Sequence, residues 1–384
     1  MRNWLLPEYI EDVLPAEAAR MEQMRRALLD LFHLHGYQLV IPPMLEYVES
    51  LMAGAGEDLD LATFKVVDLL SGRLMGVRAD ITPQTARMDA HLLNRQGVTR
   101  LCYAGSVLRA KPDGLARTRE PLQVGAELYG HAGVESDIEI QRLLVQGLRA
   151  VGIKNVQLDF SHVGIFRSLV QRSSMSETQE QNLLAALQSK DKSAVAELVA
   201  GLDAQVRDAL LALADLYGDI AMLDRAEKIL PAHDEIRQAL RELRTATDKL
   251  QGEGVHVSFD LAELRGYHYH SGMVFAAYAE GYAKPLALGG RYDEIGSIFG
   301  RARPATGFSL DLRGLATALP PARNGKAILA PYAEDAALNA KIAELRASGE
   351  VVIVDLPGHE AHRAELGCDR ALVKQGGSWV VTAN

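Results

Sequence analysis

Between residues 65 and 129 the chain carries four strand-like runs, at 65–68, 74–79, 101–108 and 122–129, several of them joined by turns too short to hold a helix. Parallel neighbours need a crossover connection of a dozen or more residues, so these runs predict an antiparallel sheet. Met21, Met24, Leu28, Leu31 and Phe32 recur at helical spacing before His35-Gly36, so a long amphipathic helix delivers the chain into an extended segment at 37–43. A helix at 135–151 and a strand at 156–160 follow. From 165 to about 252 the sequence is rich in Ala, Leu, Gln, Glu and Arg and poor in β-branched residues, which predicts a helical block inserted within the sheet domain. Strand character returns at 256–260 and 273–278, and Gly289-Gly290 reads as a turn before Arg291-Tyr292-Asp293. Pro320-Pro321 and Asn324-Gly325 mark a linker to a small α/β module, in which a strand (327–329), a helix (336–348) and a strand (351–354) alternate.

A length of 384 residues predicts two or three domains. With 24% charged and 48% hydrophobic residues, neither intrinsic disorder nor a fibrous repeat describes the chain as a whole. A net charge of −9 argues against a surface built mainly to neutralise nucleic-acid phosphates, although a local basic patch remains compatible with it. Cys102 and Cys368 form neither a disulfide framework nor a zinc spacing, and Glu8, Glu11 and Asp12 interrupt the N-terminal segment before a signal-peptide core accumulates. The expected location is a reducing cytoplasm.

Four stretches carry residues suited to chemistry. Arg109, Lys111, Arg117 and Arg119 place four cations around a Pro112-Asp113-Gly114 turn, which suits either an anion such as phosphate or carboxylate, or a solvated loop. On the following strand Gln123, Gly125 and Glu127 share one face, because side chains alternate with period two. Such a face suits a small polar ligand lying against the sheet, or simply solvent. Asp80 and Thr82 repeat the pattern before Pro83, where helix capping is the competing role. Arg265-Gly-Tyr-His-Tyr269-His270 mixes a cation with tyrosines and histidines, but no third ligand stands at a recognised metal spacing, so no metal site is expected.

Together these stretches resemble histidyl-tRNA synthetase from residue 14 to 319. Gly36-Tyr37 through Pro43 and Glu46 looks like the first class II synthetase motif, and Arg109 through Glu127 like the second. Arg265-Gly-Tyr-His-Tyr and Leu288-Gly-Gly-Arg-Tyr-Asp293 resemble the two histidine-recognition segments, and Ala305-Thr-Gly-Phe308 resembles the start of the third motif. The resemblance implies an α+β fold: a six-stranded antiparallel sheet flanked by helices, a helical insertion, a dimer and a histidine pocket. The corresponding division is a synthetase-like core at 1–164 and 255–320, the insertion at 165–254 and the C-terminal module at 325–384. Carried over residue by residue, Asp80, Thr82, Gln123 and Glu127 face the α-ammonium and imidazole of histidine. Tyr269, His270 and Tyr292 line the ring, and Arg109 and Arg265 stand near the carboxylate and the α-phosphate of ATP.

The departures point elsewhere. Gly314 stands where the third motif has its ATP-binding arginine, Arg313 lies one residue early (about 100° round a helix), and Asp311 replaces a glycine with a carboxylate. Lys111 replaces a glutamate, and Pro121 stands in place of the phenylalanine that stacks on adenine. Losing a stacking ring costs roughly 1–3 kcal/mol, and losing a preorganised charge donor roughly 3–4 kcal/mol at the transition state. The C-terminal module is also short for an anticodon-binding domain. This combination resembles the synthetase paralogues that serve as regulatory subunits of ATP phosphoribosyltransferase. It implies a non-catalytic chain without a cofactor, which activates a short-form catalytic subunit and mediates feedback inhibition by histidine. The implied assembly is a class II-type dimer within a hetero-oligomer, a hetero-octamer, with no membrane and no tRNA as partner. Lys111, Arg117 and Arg119 would persist as a vestigial anion site. The alternative is a divergent histidyl-tRNA synthetase that activates histidine with ATP.

Overall fold

The first long helix, α1 (Pro15–Leu34), begins with proline at its first position and buries Met21, Met24, Leu28 and Phe32 as one stripe. Gly36, at φ +81°, then turns the chain into β1 (Gln38–Leu39). The computed structural model describes residues 5–52, 57–112, 118–319 and 327–383, and the chain divides into two units, Met1–Leu319 and Pro320–Asn384. The basic-loop turn at 113–117, with Arg117, and the linker at 320–326 lie outside the described residues.

Two of the four expected strands do not join the main sheet. β2 (Leu45–Tyr47), the short helices α2 (Val48–Leu51) and α3 (Glu57–Ala62), β3 (Phe64–Val67) and β4 (Leu74–Val77) form a separate three-stranded sheet ordered β2-β4-β3. Its closeness to α2 requires a glycine: a Cβ at Gly76 would stand 2.8 Å from both the Leu51 and Thr63 side chains. Next come α4 (Thr82–Arg87), continued by a π-helical turn at Met88–Leu93, then β5 (Thr99–Ser106), β6 (Leu122–Tyr129), α5 (Val134–Ala150) and β7 (Val156–His162). The helix-rich stretch follows as α6 (Val163–Val170), α7 (Glu177–Gln188), α8 (Lys192–Val199), α9 (Ala204–Leu213), β8 (Tyr217–Gly218), α10 (Ala221–Ile229) and α11 (Asp234–Gln251). The chain then completes the sheet with β9 (His256–Asp260), β10 (Met273–Ala279), β11 (Ala287–Arg291) and β12 (Ala305–Asp311), ending in α12 (Leu312–Ala318).

The main sheet has nine strands ordered β1-β5-β6-β12-β11-β10-β7-β9-β8. The six from β5 to β7 are antiparallel throughout, as the sequence predicts, but β1 pairs β5 and β9 pairs β7 in parallel, so the whole sheet is mixed. Helices sit between those parallel partners in sequence, which supplies the long connections they need. One sheet face, through Val124, Ala126, Leu128, Phe160 and Phe308, packs into a core shared with α1 and α5. That core runs on into the inserted helices through Leu183, Leu210 and Leu243. The opposite face carries Gln123, Gly125 and Glu127 beside Asp311, Ser309 and Gly307 of β12.

Gly289 and Gly290 are strand residues, not a turn. They lie inside β11, where a Cβ at Gly289 would overlap the Gly307 carbonyl and the Phe275 ring, and one at Gly290 would stand 2.8 Å from the Met273 carbonyl oxygen. Here glycine serves close approach between strands. The C-terminal unit holds β13 (Ala327–Pro331), α13 (Ala336–Ala347), β14 (Val351–Asp355), β15 (Cys368–Gln375) and β16 (Ser378–Ala383) as one sheet ordered β14-β13-β15-β16. The last two strands were not anticipated, because their mixture of charge and β-branched residues lacks strict alternation. Replacing Gly289 with Ala is expected to cost about 1–3 kcal/mol of stability by overpacking a strand interior; a reduced urea midpoint with an unchanged slope checks this, whereas a surface turn would tolerate the change.

Candidate functional site

Glu127 is the centre of the sheet face opposite that core, and it is 1% exposed. The Tyr103 hydroxyl, from the neighbouring strand β5, donates to its Oε1 at 2.9 Å, and the Tyr292 hydroxyl, just beyond β11, donates to its Oε2. Thr82, at the start of α4, shares a hydrogen bond of 3.0 Å with the Tyr103 hydroxyl. Glycine clears the room: a Cβ at Gly307 would overlap the Glu127 carboxylate, and one at Gly125 would overlap the Tyr103 hydroxyl. Burial pushes the Glu127 carboxyl up to about 8, against the hydrogen bonds from Tyr292 and Tyr103, and the negative Asp80 adds to the rise. The same burial, with Glu127 nearby, keeps the phenols of Tyr103, Tyr129 and Tyr292 protonated as donors.

Asp80 and Gln123 form the next layer. Gln123 Nε2 donates to Asp80 Oδ1 at 2.8 Å, while Gln123 Oε1 accepts from the Ile81 backbone N–H at 2.9 Å. Asp80 Oδ1 also accepts from the Thr82 N–H at 2.9 Å, one residue ahead of the N-cap position of α4, which Ile81 occupies. Tyr269 stacks on Tyr292 with ring centres 5.1 Å apart, and its buried hydroxyl has no hydrogen-bond partner among the described residues. His270 packs edge-on against Tyr269, and burial pushes its imidazole down to about 4. Its Nδ1 lies 3.2 Å from the Arg291 carbonyl, which only accepts, so the neutral ring carries its proton there. Arg291 is fixed by Asp137 at 2.8 Å, which anchors the chain beside Tyr292.

Of the residues singled out in the sequence, Asp80, Thr82, Gln123, Glu127, Tyr269, His270 and Tyr292 thus come together. Arg265 lies apart from this hydrogen-bonded group: its guanidinium pairs with Glu263 at 3.2 Å and is half exposed. Arg109 bridges Thr63, and its charge acts on Asp311. Arg119 is engaged by the Arg109 carbonyl at 3.0 Å and lies over the Phe64 ring, while Lys111 is exposed. Arg313 is buried and donates to the Glu11 carbonyl at 2.7 Å. The Asp311 carboxylate caps α12, accepting from the Arg313 N–H at 3.0 Å, and a Cβ at Gly314 would stand 2.9 Å from it. Sequence reasoning missed Tyr103 and Tyr129. Their signal was register: Tyr103 lies directly across from Gly125.

Comparison with known proteins agrees with this architecture. Residues 9–315 match the family model described as histidyl-tRNA synthetase, and residues 325–382 match that of the ATP phosphoribosyltransferase subunit HisZ C-terminal domain. The chain is 67% identical to the ATP phosphoribosyltransferase regulatory subunit of Methylobacillus flagellatus, over 100% of this chain and 99% of that one. It is 56% identical to the protein of the same name from Nitrosospira multiformis, over 99% and 98%. The crystal structure of an ATP phosphoribosyltransferase regulatory subunit/histidyl-tRNA synthetase from Bacillus halodurans superposes with a TM-score of 0.86 at 27% identity, covering 97% of this chain and 98% of that one. The histidyl-tRNA synthetase of Nostoc superposes at 0.78 with 18% identity over 100% and 97%, a likeness of fold.

The raised Glu127 carboxyl sets a pH dependence. The folded chain keeps this proton up to about 8, whereas the unfolded chain releases it near 4.5, so the resulting stabilisation is complete below 4.5 and is lost as pH rises through 8. The ligand-free melting temperature should therefore fall across this window. Glu127→Gln should lessen the fall, measured as the difference between the two melting curves at each pH.

Proposed function

The chain belongs to the ATP phosphoribosyltransferase regulatory subunits, and from that premise we propose that it binds histidine over Glu127, activates a short-form catalytic subunit and carries feedback inhibition to it. The observation that carries this reading is the pairing of a buried carboxyl group with a buried phenol that has no partner among the described residues. The hydrogen bonds to Glu127 come from neutral hydroxyls, those of Tyr103, Tyr292 and Thr82, and the neighbouring charge acting on it, Asp80, is negative. A ligand bringing N–H donors or positive charge relieves that imbalance, and an imidazole supplies both within a flat ring that fits beside Tyr269 and Tyr292. Asp80, Thr82 and Gln123 then offer acceptors to the α-ammonium.

The non-catalytic reading is supported at the other end of the same sheet face. Asp311 puts a carboxylate at the head of α12, and Arg313 is committed to the Glu11 carbonyl, so neither is arranged to hold polyphosphate. A dimer of class II type within a hetero-octamer is supported by the apolar surface around the first motif, where Ile41 is 81% exposed and Leu69 and Leu70 crown the β3–β4 turn. Independence from tRNA is supported by the C-terminal match to the regulatory subunits' own domain. Among the described residues no helix is long and apolar enough to cross a membrane, and both cysteines are free, in keeping with a cytoplasmic location. Inhibition requires that histidine bind the active and inactive assemblies with different affinity, since equal affinity shifts nothing.

Histidine at 100 times its dissociation constant should stabilise the chain by about 2.7 kcal/mol. A thermal-shift titration with histidine and other amino acids checks this, with Glu127→Ala abolishing the response; no histidine-specific shift at millimolar ligand overturns the pocket. Histidine-dependent ATP–pyrophosphate exchange should be absent, and measurable exchange would make the chain a divergent histidyl-tRNA synthetase instead.

A further inference from the structure

The segment 265–272, which carries Tyr269 and His270, is held from outside the site by two helices. From α6, Arg167 donates to three of its backbone carbonyls: His270 at 2.8 Å, Tyr267 at 3.2 Å and Ser271 at 3.4 Å. From α7, Glu180 accepts the Tyr267 hydroxyl at 2.7 Å. The Tyr267 ring is buried edge-on against Phe166 of α6, with centres 5.1 Å apart, and Arg167 lies 5.2 Å from the centre of its face. The segment itself is a tight turn. Gly266 has φ +67°, its carbonyl accepts from both the Tyr269 and His270 N–H groups at 2.8 Å, and a Cβ on it would stand 2.8 Å from the His270 ring. On the sheet side the Ser271 N–H donates to the Arg291 carbonyl at 2.8 Å and the Ser271 Oγ accepts from the Asp293 N–H at 2.9 Å; on the helix side a fork donating to three carbonyls fixes position and orientation together.

We infer that Arg167 and Glu180 are positioning residues for histidine binding: they clamp the 265–272 turn through Tyr267 and its carbonyls, and so set the Tyr269 ring against Tyr292. Neither touches the cluster around Glu127. They act on the wall of the site, whereas the sheet strands hold its floor. The inserted helices thereby become part of the amino-acid site's scaffold. This inference rests on the histidine reading given above.

Calorimetric titration of the full chain with histidine tests it, alongside amide exchange of residues 265–272 in the ligand-free protein. Glu180→Ala and Tyr267→Phe should each weaken histidine binding about tenfold, the range of a hydrogen bond to a charged group. The double variant should lose no more than either single one, because both remove the same bond. Glu180→Gln, which still accepts from the phenol, should restore most of the affinity, and Arg167→Lys, which keeps the charge but not the fork, should not. Exchange should quicken in the 265–272 segment and stay unchanged in β7 and β10. A wild-type chain that gives no histidine signal overturns the histidine reading, whereas wild-type binding with undiminished affinity in Glu180→Ala and Tyr267→Phe overturns the clamp. Unchanged exchange at 265–272, or exchange raised equally throughout the sheet, also overturns it.

Discussion

A carboxyl group as buried as Glu127 forfeits its hydration, and what surrounds it must return enough of that loss for the fold to persist. Much of the sheet face around it is arranged to do so. Tyr103 reaches Glu127 from β5 and Tyr292 from the end of β11, so its two donors arrive from opposite sides of the β6–β12 pair. Gly307 and Gly125 lie where any side chain would strike the carboxylate or the Tyr103 hydroxyl. A one-residue slip of β12 against β6 would place Thr306 or Phe308 there, so the register of the central strands and the position of Glu127 determine each other. Even so, the return is incomplete. Burial outweighs the hydrogen bonds from the Tyr292 and Tyr103 hydroxyls, and with the negative Asp80 nearby the group holds its proton to about 8. The site is complete as a fold and incomplete as an electrostatic arrangement, the condition in which a cationic or N–H-donating ligand binds with most effect.

The opposite condition holds four residues back along the same strand. Across from Gln123 stands Asp311, whose carboxylate accepts from the first turn of α12 and is influenced by the charge of Arg109. In a site meant for polyphosphate those donors would face the ligand. Here an internal anion engages them, Arg313 is turned to the Glu11 carbonyl, and residue 314 has no side chain to compete for the space. The two ends of the face depend on different elements, the phenol-bearing strands at one and α12 with the N-terminal segment at the other. A change at the second therefore leaves the first intact.

What could be read in the sequence follows from the range of each interaction. Alternation along 122–129 put Gln123, Gly125 and Glu127 on one face, because period-two patterning is local, and the amphipathic spacing of α1 was legible for the same reason. The separate β2-β4-β3 sheet was not, since pairing partners are a tertiary choice and these short strands read no differently from those of the main sheet. Gly289-Gly290 misled because glycine signals a turn and a close strand approach alike, and only the position of Phe275 and Gly307 distinguishes them. Tyr103 was hidden among buried apolar neighbours, where an aromatic residue reads as core. Arg265 sits in a recognisable motif, but its side chain follows Glu263, two residues away, and motif spacing carries no information about that ion pair.

The floor and the wall of the site differ in how they are held, and that difference bears on how a regulatory signal could reach it. The floor lies in the antiparallel strands, with paired backbone on both sides of β6 and β12. The wall that carries Tyr269 is a single turn, tied to the end of β11 through the Ser271 N–H and Arg291 carbonyl and gripped from the helices by Arg167 and, through Tyr267, by Glu180. A hydrogen bond fails over a displacement of less than an ångström, so a small movement of α7 suffices to release Tyr267 while leaving the sheet unaltered. On the reading proposed for this chain, a partner that moves those helices changes the affinity for histidine. By linkage, histidine then changes the affinity for the state that partner prefers by the same factor. Such coupling needs no contact between ligand and partner, only a wall that takes part of its support from outside the sheet that forms the floor.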